Sequence, residues 1–165
     1  MKNIIVTLVL VFVLGSAKSQ PAPVSPQEQE GAKKELRGTV NTIVQGLEKM
    51  DAELLFQSYS NSPDFILFTT DGSLADFQAA KNHHVGWFKS LSSLNVTTVT
   101  EEFRLLSGTI AVCAWRATFD MTTKTGGKPT MNLAITLIFN KIEDHWKVVY
   151  QQTSALPPAQ EKQGK

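Results

Sequence analysis

The sequence predicts an α+β domain, and three observations carry that prediction. Apolar residues in the first half recur at three- and four-residue spacing, the period of an amphipathic helix, whereas from residue 96 onward they alternate every second position, the period of a strand. Helical segments therefore precede strand segments instead of alternating with them, which separates α+β from a parallel α/β sheet. Ser107-Gly108, Thr125-Gly126-Gly127-Lys128 and Glu143-Asp144 punctuate the second half at hairpin distances, as an antiparallel meander requires.

The chain opens on a pattern unrelated to that domain. Lys2 supplies a positive start, Ile4 to Leu14 is apolar except for Thr7, and Gly15-Ser16-Ala17-Lys18-Ser19 places small residues at alternate positions. This is the anatomy of a cleavable export signal, with residues 1–19 removed and Gln20 left first. A run of about 11 apolar residues is too short for a bilayer that needs about 20, so no membrane association is expected after cleavage. No cysteine follows the run, which argues against lipid attachment, and the expected location is secreted or periplasmic.

Residues 20–32 are rich in Pro, Gln and Glu, bury little apolar area, and read as a flexible linker. Residues 156–165 read as a disordered tail, leaving 33–155 as the domain. Within it, Leu36, Val40, Ile43, Val44 and Leu47 mark a first helix. Asp51 caps a short second helix carrying Leu54, Leu55 and Tyr59. Phe65–Phe68 is a short strand closed by the Asp71-Gly72 turn. Asp76 opens a third helix to about Leu91, with Phe77, Ala80, His84, Phe88 and Leu91 on one stripe. Four longer strands follow at about 96–106, 109–123, 131–140 and 146–154.

Composition narrows the function. The 165 residues carry 16 basic and 15 acidic side chains. Loss of Lys2 and Lys18 with the leader leaves 14 against 15, a formal −1. Nucleic-acid binding needs a basic patch or stripe, and none is present. A hydrophobic fraction of 42% suffices for a core without disulfides. Cys113 is the single cysteine and sits in an apolar strand, the setting of an inert buried thiol. Asn95-Val96-Thr97 matches the glycosylation triplet. His83 and His84 are adjacent on a helix and point about 100° apart, which disfavours joint metal ligation. No HExxH, CxxC, phosphate-binding glycine loop or GxSxG occurs, and no cofactor is expected.

Met50-Asp51-Ala52, the Phe65–Gly72 segment with its Asp-Gly turn, and the ending Glu143-Asp144-His145-Trp146-Lys147-Val148-Val149-Tyr150-Gln151-Gln152-Thr153-Ser154 carry a resemblance. With the element order, they make residues 33–155 resemble the SnoaL-like branch of the nuclear transport factor 2-like superfamily. The final strand there commonly reads Gly-x-Trp-x-Ile, a polar pair, then Ser; Trp146, Val148 and Ser154 fit. Gln152 stands where many members place a histidine, which argues against carrying over their acid–base chemistry. The resemblance implies a cone: a curved antiparallel sheet wrapped around three N-terminal helices, a cystatin-like roll with a pocket at its open end. Isomerases of that shape place a carboxylate base before the first turn, where this sequence offers Thr69 and Thr70. Fold alone leaves function open.

Strand alternation suggests a pocket lining. Trp146, Val148, Tyr150, Gln152 and Ser154 share a face of the last strand, and Trp115 is taken as inward on its own strand. On the strand between them the resemblance favours the Asn132/Thr136 face as inward. The expected lining is Tyr59, Phe68, His84, Trp87, Trp115 and Tyr150, with Asn132, Thr136 and Gln152 as sparse polar groups, a composition suited to a small apolar molecule. Both faces of 131–140 are apolar, so a homodimer through the outer sheet face is expected. The rival readings are an isomerase, cyclase or hydrolase acting through His84, Tyr150 or Asp120, and a ligand-free dimerisation module.

Overall fold

The computed structural model describes residues 25–157. The expected signal, the linker up to residue 24 and the tail from residue 158 lie outside the described residues. Helix α1 spans Pro26–Glu48 and so begins inside the stretch expected to be a linker. The cause is local. Ser25 accepts from the Glu28 N–H while the Glu28 carboxylate accepts the Ser25 N–H at 2.9 Å, a reciprocal cap that the proline-rich composition hides. The stripe Leu36, Val40, Ile43 and Leu47 is buried along the rest of the helix.

Met50 takes a left-handed φ of 52° and turns the chain into α2 (Ala52–Phe56), capped by the Asp51 carboxylate. Gly46 on α1 makes the crossing possible, because a Cβ there would lie 2.5 Å from the Leu55 backbone. Strand β1 (Ile66–Phe68) turns at Gly72, φ 82°, into the two-residue β2 (Leu74–Ala75), which the sequence pattern does not disclose. Asp76 then caps α3 (Phe77–Ser90).

The long strands are β3 (Leu91–Leu105), β4 (Ile110–Thr123), β5 (Thr130–Ile142) and β6 (His145–Ala155). With β1 and β2 they form one curved, unclosed sheet in the order β2-β1-β6-β5-β4-β3, and the α+β cone is the fold. Four of the five strand pairings are antiparallel, as expected, but β1 lies parallel to β6, so the sheet is mixed. No helix among the described residues is long and apolar enough to cross a membrane.

Inward side chains of β4 (Ala111, Cys113, Trp115, Ala117, Phe119) and β5 (Leu133, Ile135, Leu137, Phe139) meet the α1 stripe as one buried cluster. The resemblance put Asn132 and Thr136 on this face; they stand on the other, because the continuous Leu-Ile-Leu-Phe set is the one the helices cover. The β5–β6 hairpin is pinned to α1 where the Trp146 indole N–H donates to Glu35 at 3.0 Å and Lys141 pairs with Glu35 at 3.5 Å. Replacing Gly46 by Ala should cost about 3 kcal/mol by urea denaturation, because overpacking against Leu55 outweighs the usual helical gain from alanine. A stabilised G46A variant would refute this account of the helix crossing.

Candidate functional site

The helices leave a hollow of about 230 Å³ beneath the concave sheet face. From α1 come Ile43 and Leu47, from α2 Leu55, and just after it Tyr59. Strand β1 and its turn give Leu67, Thr69 and Thr70; α3 gives His83, His84 and Trp87. The sheet wall is Trp115 and Phe119 of β4, Met131, Leu133 and Ile135 of β5, and Gln151 and Thr153 of β6. Among the described residues no carboxylate lines this hollow, and no group of three or more His, Cys, Asp or Glu is placed to hold a metal ion.

Of the expected lining, Tyr59, His84, Trp87 and Trp115 stand in the wall. Phe68, Asn132, Thr136, Tyr150 and Gln152 do not. Phe68 and Tyr150 lie with rings 6.2 Å apart, and Gln152 accepts the Tyr150 hydroxyl at 3.1 Å. Asn132 accepts from Thr118 at 2.8 Å. The β6 correction has one cause. Phe139 pairs with Val148 and Ile138 pairs with Tyr150, so Val149 is an extra residue in β6. That bulge reverses the alternation: Trp146 and Val148 face inward before it, Gln151 and Thr153 after it. The doubled Val148-Val149 is its only trace in the sequence.

The polar groups on the sheet side satisfy one another. The Tyr59 hydroxyl donates to Gln151 Oε1 at 2.7 Å, and Gln151 Nε2 donates to Thr153 Oγ1 at 3.0 Å. The Trp115 indole N–H donates to Thr98 at 3.1 Å. Burial holds the Tyr59 hydroxyl well above the ordinary tyrosine range, so it stays protonated. Burial, with Glu101 nearby, pushes the Cys113 thiol up to about 12, which holds it in the protonated form; it lies in the core, outside the cavity wall.

Helix α3 supplies the opposite side. His84 is held edge-on by the rings of Phe56, Trp87 and Phe88 at 5.3, 5.9 and 5.9 Å. Its Nδ1 lies 2.8 Å from the Ala80 carbonyl, which can only accept, so the proton of the neutral ring resides on Nδ1. Desolvation lowers the His84 pKa from 6.5 and His83 acts in the same direction, outweighing the Ala80 contact. His83 is exposed at the mouth and His145 is exposed in the β5–β6 hairpin. Because the folded chain resists a proton that the unfolded chain accepts below about pH 6.5, stability should fall as pH drops through the His84 pKa. Urea denaturation at about pH 7.5 and about pH 5 should show that loss, reduced in His84→Phe; equal losses in both proteins would refute it.

Comparison with known proteins places this geometry. A family model for the SnoaL-like domain matches residues 36–159. No curated protein matches the chain. Among solved structures, a nuclear transport factor 2-like superfamily protein from Salmonella enterica superposes with a TM-score of 0.72 at 18% identity, covering 83% of this chain and 99% of that one. An uncharacterized protein with a cystatin-like fold from Caulobacter vibrioides gives 0.66 at 15%, covering 78% and 92%. A hexachlorocyclohexane dehydrochlorinase gives 0.70 at 8%, covering 82% and 99%. At such identities these likenesses speak for the fold alone.

Proposed function

This chain belongs to the SnoaL-like domain family, and we propose that within it the protein binds a small, largely apolar molecule in the cone's hollow. The observation that carries this is the state of the wall: apolar and aromatic side chains surround about 230 Å³, and the sheet-side polar groups are already paired. Small-molecule pockets have this composition, and a hollow slightly below their usual range of about 300–1,000 Å³ suits a compound of one or two rings. The proposal includes export of the mature chain from Gln20 to a secreted or periplasmic location.

Native mass spectrometry of the purified protein should release a co-purifying small molecule from a chain beginning at Gln20. Thr153→Trp, which fills the hollow from β6, should abolish it. No released molecule, together with no thermal stabilisation by a panel of one- and two-ring aromatics, would remove the reading.

A homodimer is part of the same proposal. Val112, Ile138 and Tyr150 are register neighbours across the outer sheet face, with Phe68 beside Tyr150. The outward residues Asn132, Ala134, Thr136, Ile138 and Asn140 of β5 include no charge, whereas Glu102, Arg104, Arg116 and Asp120 border them on β3 and β4. A charge-poor centre with a charged rim is how interfaces are built, and a second copy presents the matching surface. Light scattering at micromolar concentration should give twice the chain mass, falling to one in Ile138→Glu; a monomeric wild type ends the idea.

Catalysis is the second reading, favoured by His84, a neutral imidazole in the wall that could accept a proton. The dehydrochlorinase among the similar structures is named for an elimination. Tyr150 and Asp120 drop out as candidates, since both lie off the cavity wall and Asp120 accepts from Thr130 at 2.6 Å.

A further inference from the structure

We propose that the hollow selects an aromatic molecule bearing a hydrogen-bond donor, a phenolic or enolic hydroxyl, and seats that group on Nε2 of His84. The inference rests on the small-molecule reading above and adds a chemical class to it. Its basis is an imbalance in the wall. The Tyr59 hydroxyl and the Trp115 indole donate to protein partners, Gln151 accepts from Tyr59 and donates to Thr153, and Thr153 is engaged as an acceptor. Nδ1 of His84 is committed too, to the carbonyl one turn back. Nε2, across the ring, makes no hydrogen bond with a described residue, and because no buried side-chain nitrogen or oxygen among them is left unpaired, it meets solvent when the hollow is empty. It is an acceptor without a protein donor.

The ring cannot easily turn to change this. Phe56, Trp87 and Phe88 crowd it edge-on, and rotation would sacrifice the Ala80 contact. A bound molecule that excludes water therefore either supplies a donor to Nε2 or leaves it unpaired in an apolar enclosure, which is costly. A hydrogen-bonding site discriminates more sharply against an analogue lacking the group than an apolar pocket does by size. Trp87, Trp115, Tyr59 and Phe119 provide walls for the ring that carries the hydroxyl.

Protonation would reverse the preference, since imidazolium offers Nε2–H as a donor. On its own helix His83 is adjacent, and Lys81 is engaged at 2.7 Å with Glu53 near the start of α2. The rest of α2 presents the Phe56 ring, and Tyr59 beyond it stays neutral.

Calorimetric titration with naphthol, naphthalene and methyl naphthyl ether tests the assignment. At about pH 7.5 naphthol should bind about tenfold tighter than naphthalene, one net buried hydrogen bond, and the ether no tighter than naphthalene. His84→Phe should level naphthol to naphthalene while naphthalene binding persists, which also shows that the variant is folded. In the wild type, the naphthol advantage should shrink as the pH falls through the lowered His84 pKa, without naphthalene weakening comparably. Equal affinities for naphthol and naphthalene in the wild type would overturn the donor assignment and leave the binding reading standing, as would a naphthol preference surviving in H84F. Binding of none of the three would overturn both.

Discussion

The chemistry of the hollow depends on one surplus residue in the last strand. Val149 has no partner across the β5–β6 ladder, and inserting it shifts every later side chain of β6 to the opposite face. Before the bulge, Trp146 and Val148 pack inward and are closed against α1 and the sheet. After it, Gln151 faces inward and meets Tyr59. An unbroken strand would instead have turned Tyr150 and Gln152 inward. The bulge thus divides β6 into a packing half and a site half, and it leaves Tyr150 outside with Phe68, available to the outer face.

That division explains how a domain of this size keeps a hollow without losing its core. Leu36, Val40 and Ile43 of α1 are at most 1% exposed, as are Leu137, Phe139 and Val148 beneath them, so the narrow end of the cone is solid. Beyond Glu48 the helix ends, α2 crosses at Gly46, and α3 closes the wide end while burying only Ala80 and Phe88. The wide end is spanned by aromatic rings in edge and tilted contacts, an arrangement that holds walls apart instead of interdigitating them.

Much of this was legible in the sequence. The α1 stripe, the Asp51 and Asp76 caps, the Asp71-Gly72 turn and the four-strand meander all follow from period and turn chemistry, because each is decided by residues close in the chain. The capped start of α1 was just as local, Ser25 with Glu28, but a proline-rich composition masked it. What eluded the sequence was relational. Which face of β5 turns inward depends on the helices' position; both faces are apolar, so alternation alone leaves the choice open, and the resemblance pointed to the Asn132/Thr136 face, which the structure turns outward. The β1–β6 parallel pairing joins segments more than 80 residues apart, and no turn specifies it. A bulge between two valines changes no composition at all, so strand alternation points to Gln152 where the structure turns Gln151 inward.

The same accounting of partners bears on what the site can do. Proton transfer needs a group whose charge state is balanced near neutrality and, usually, a second group that orients it or takes up the proton. Tyr59 is locked in its neutral form by burial and already donates to an amide. Cys113 is similarly neutral and outside the wall. His84 is oriented by a backbone carbonyl, which fixes its tautomer but, unlike a carboxylate, adds no full charge to stabilise an imidazolium; desolvation acts against that cation. The imidazole is therefore better arranged to recognise a proton on a ligand than to remove one, which is why binding, rather than turnover, is the reading these residues favour.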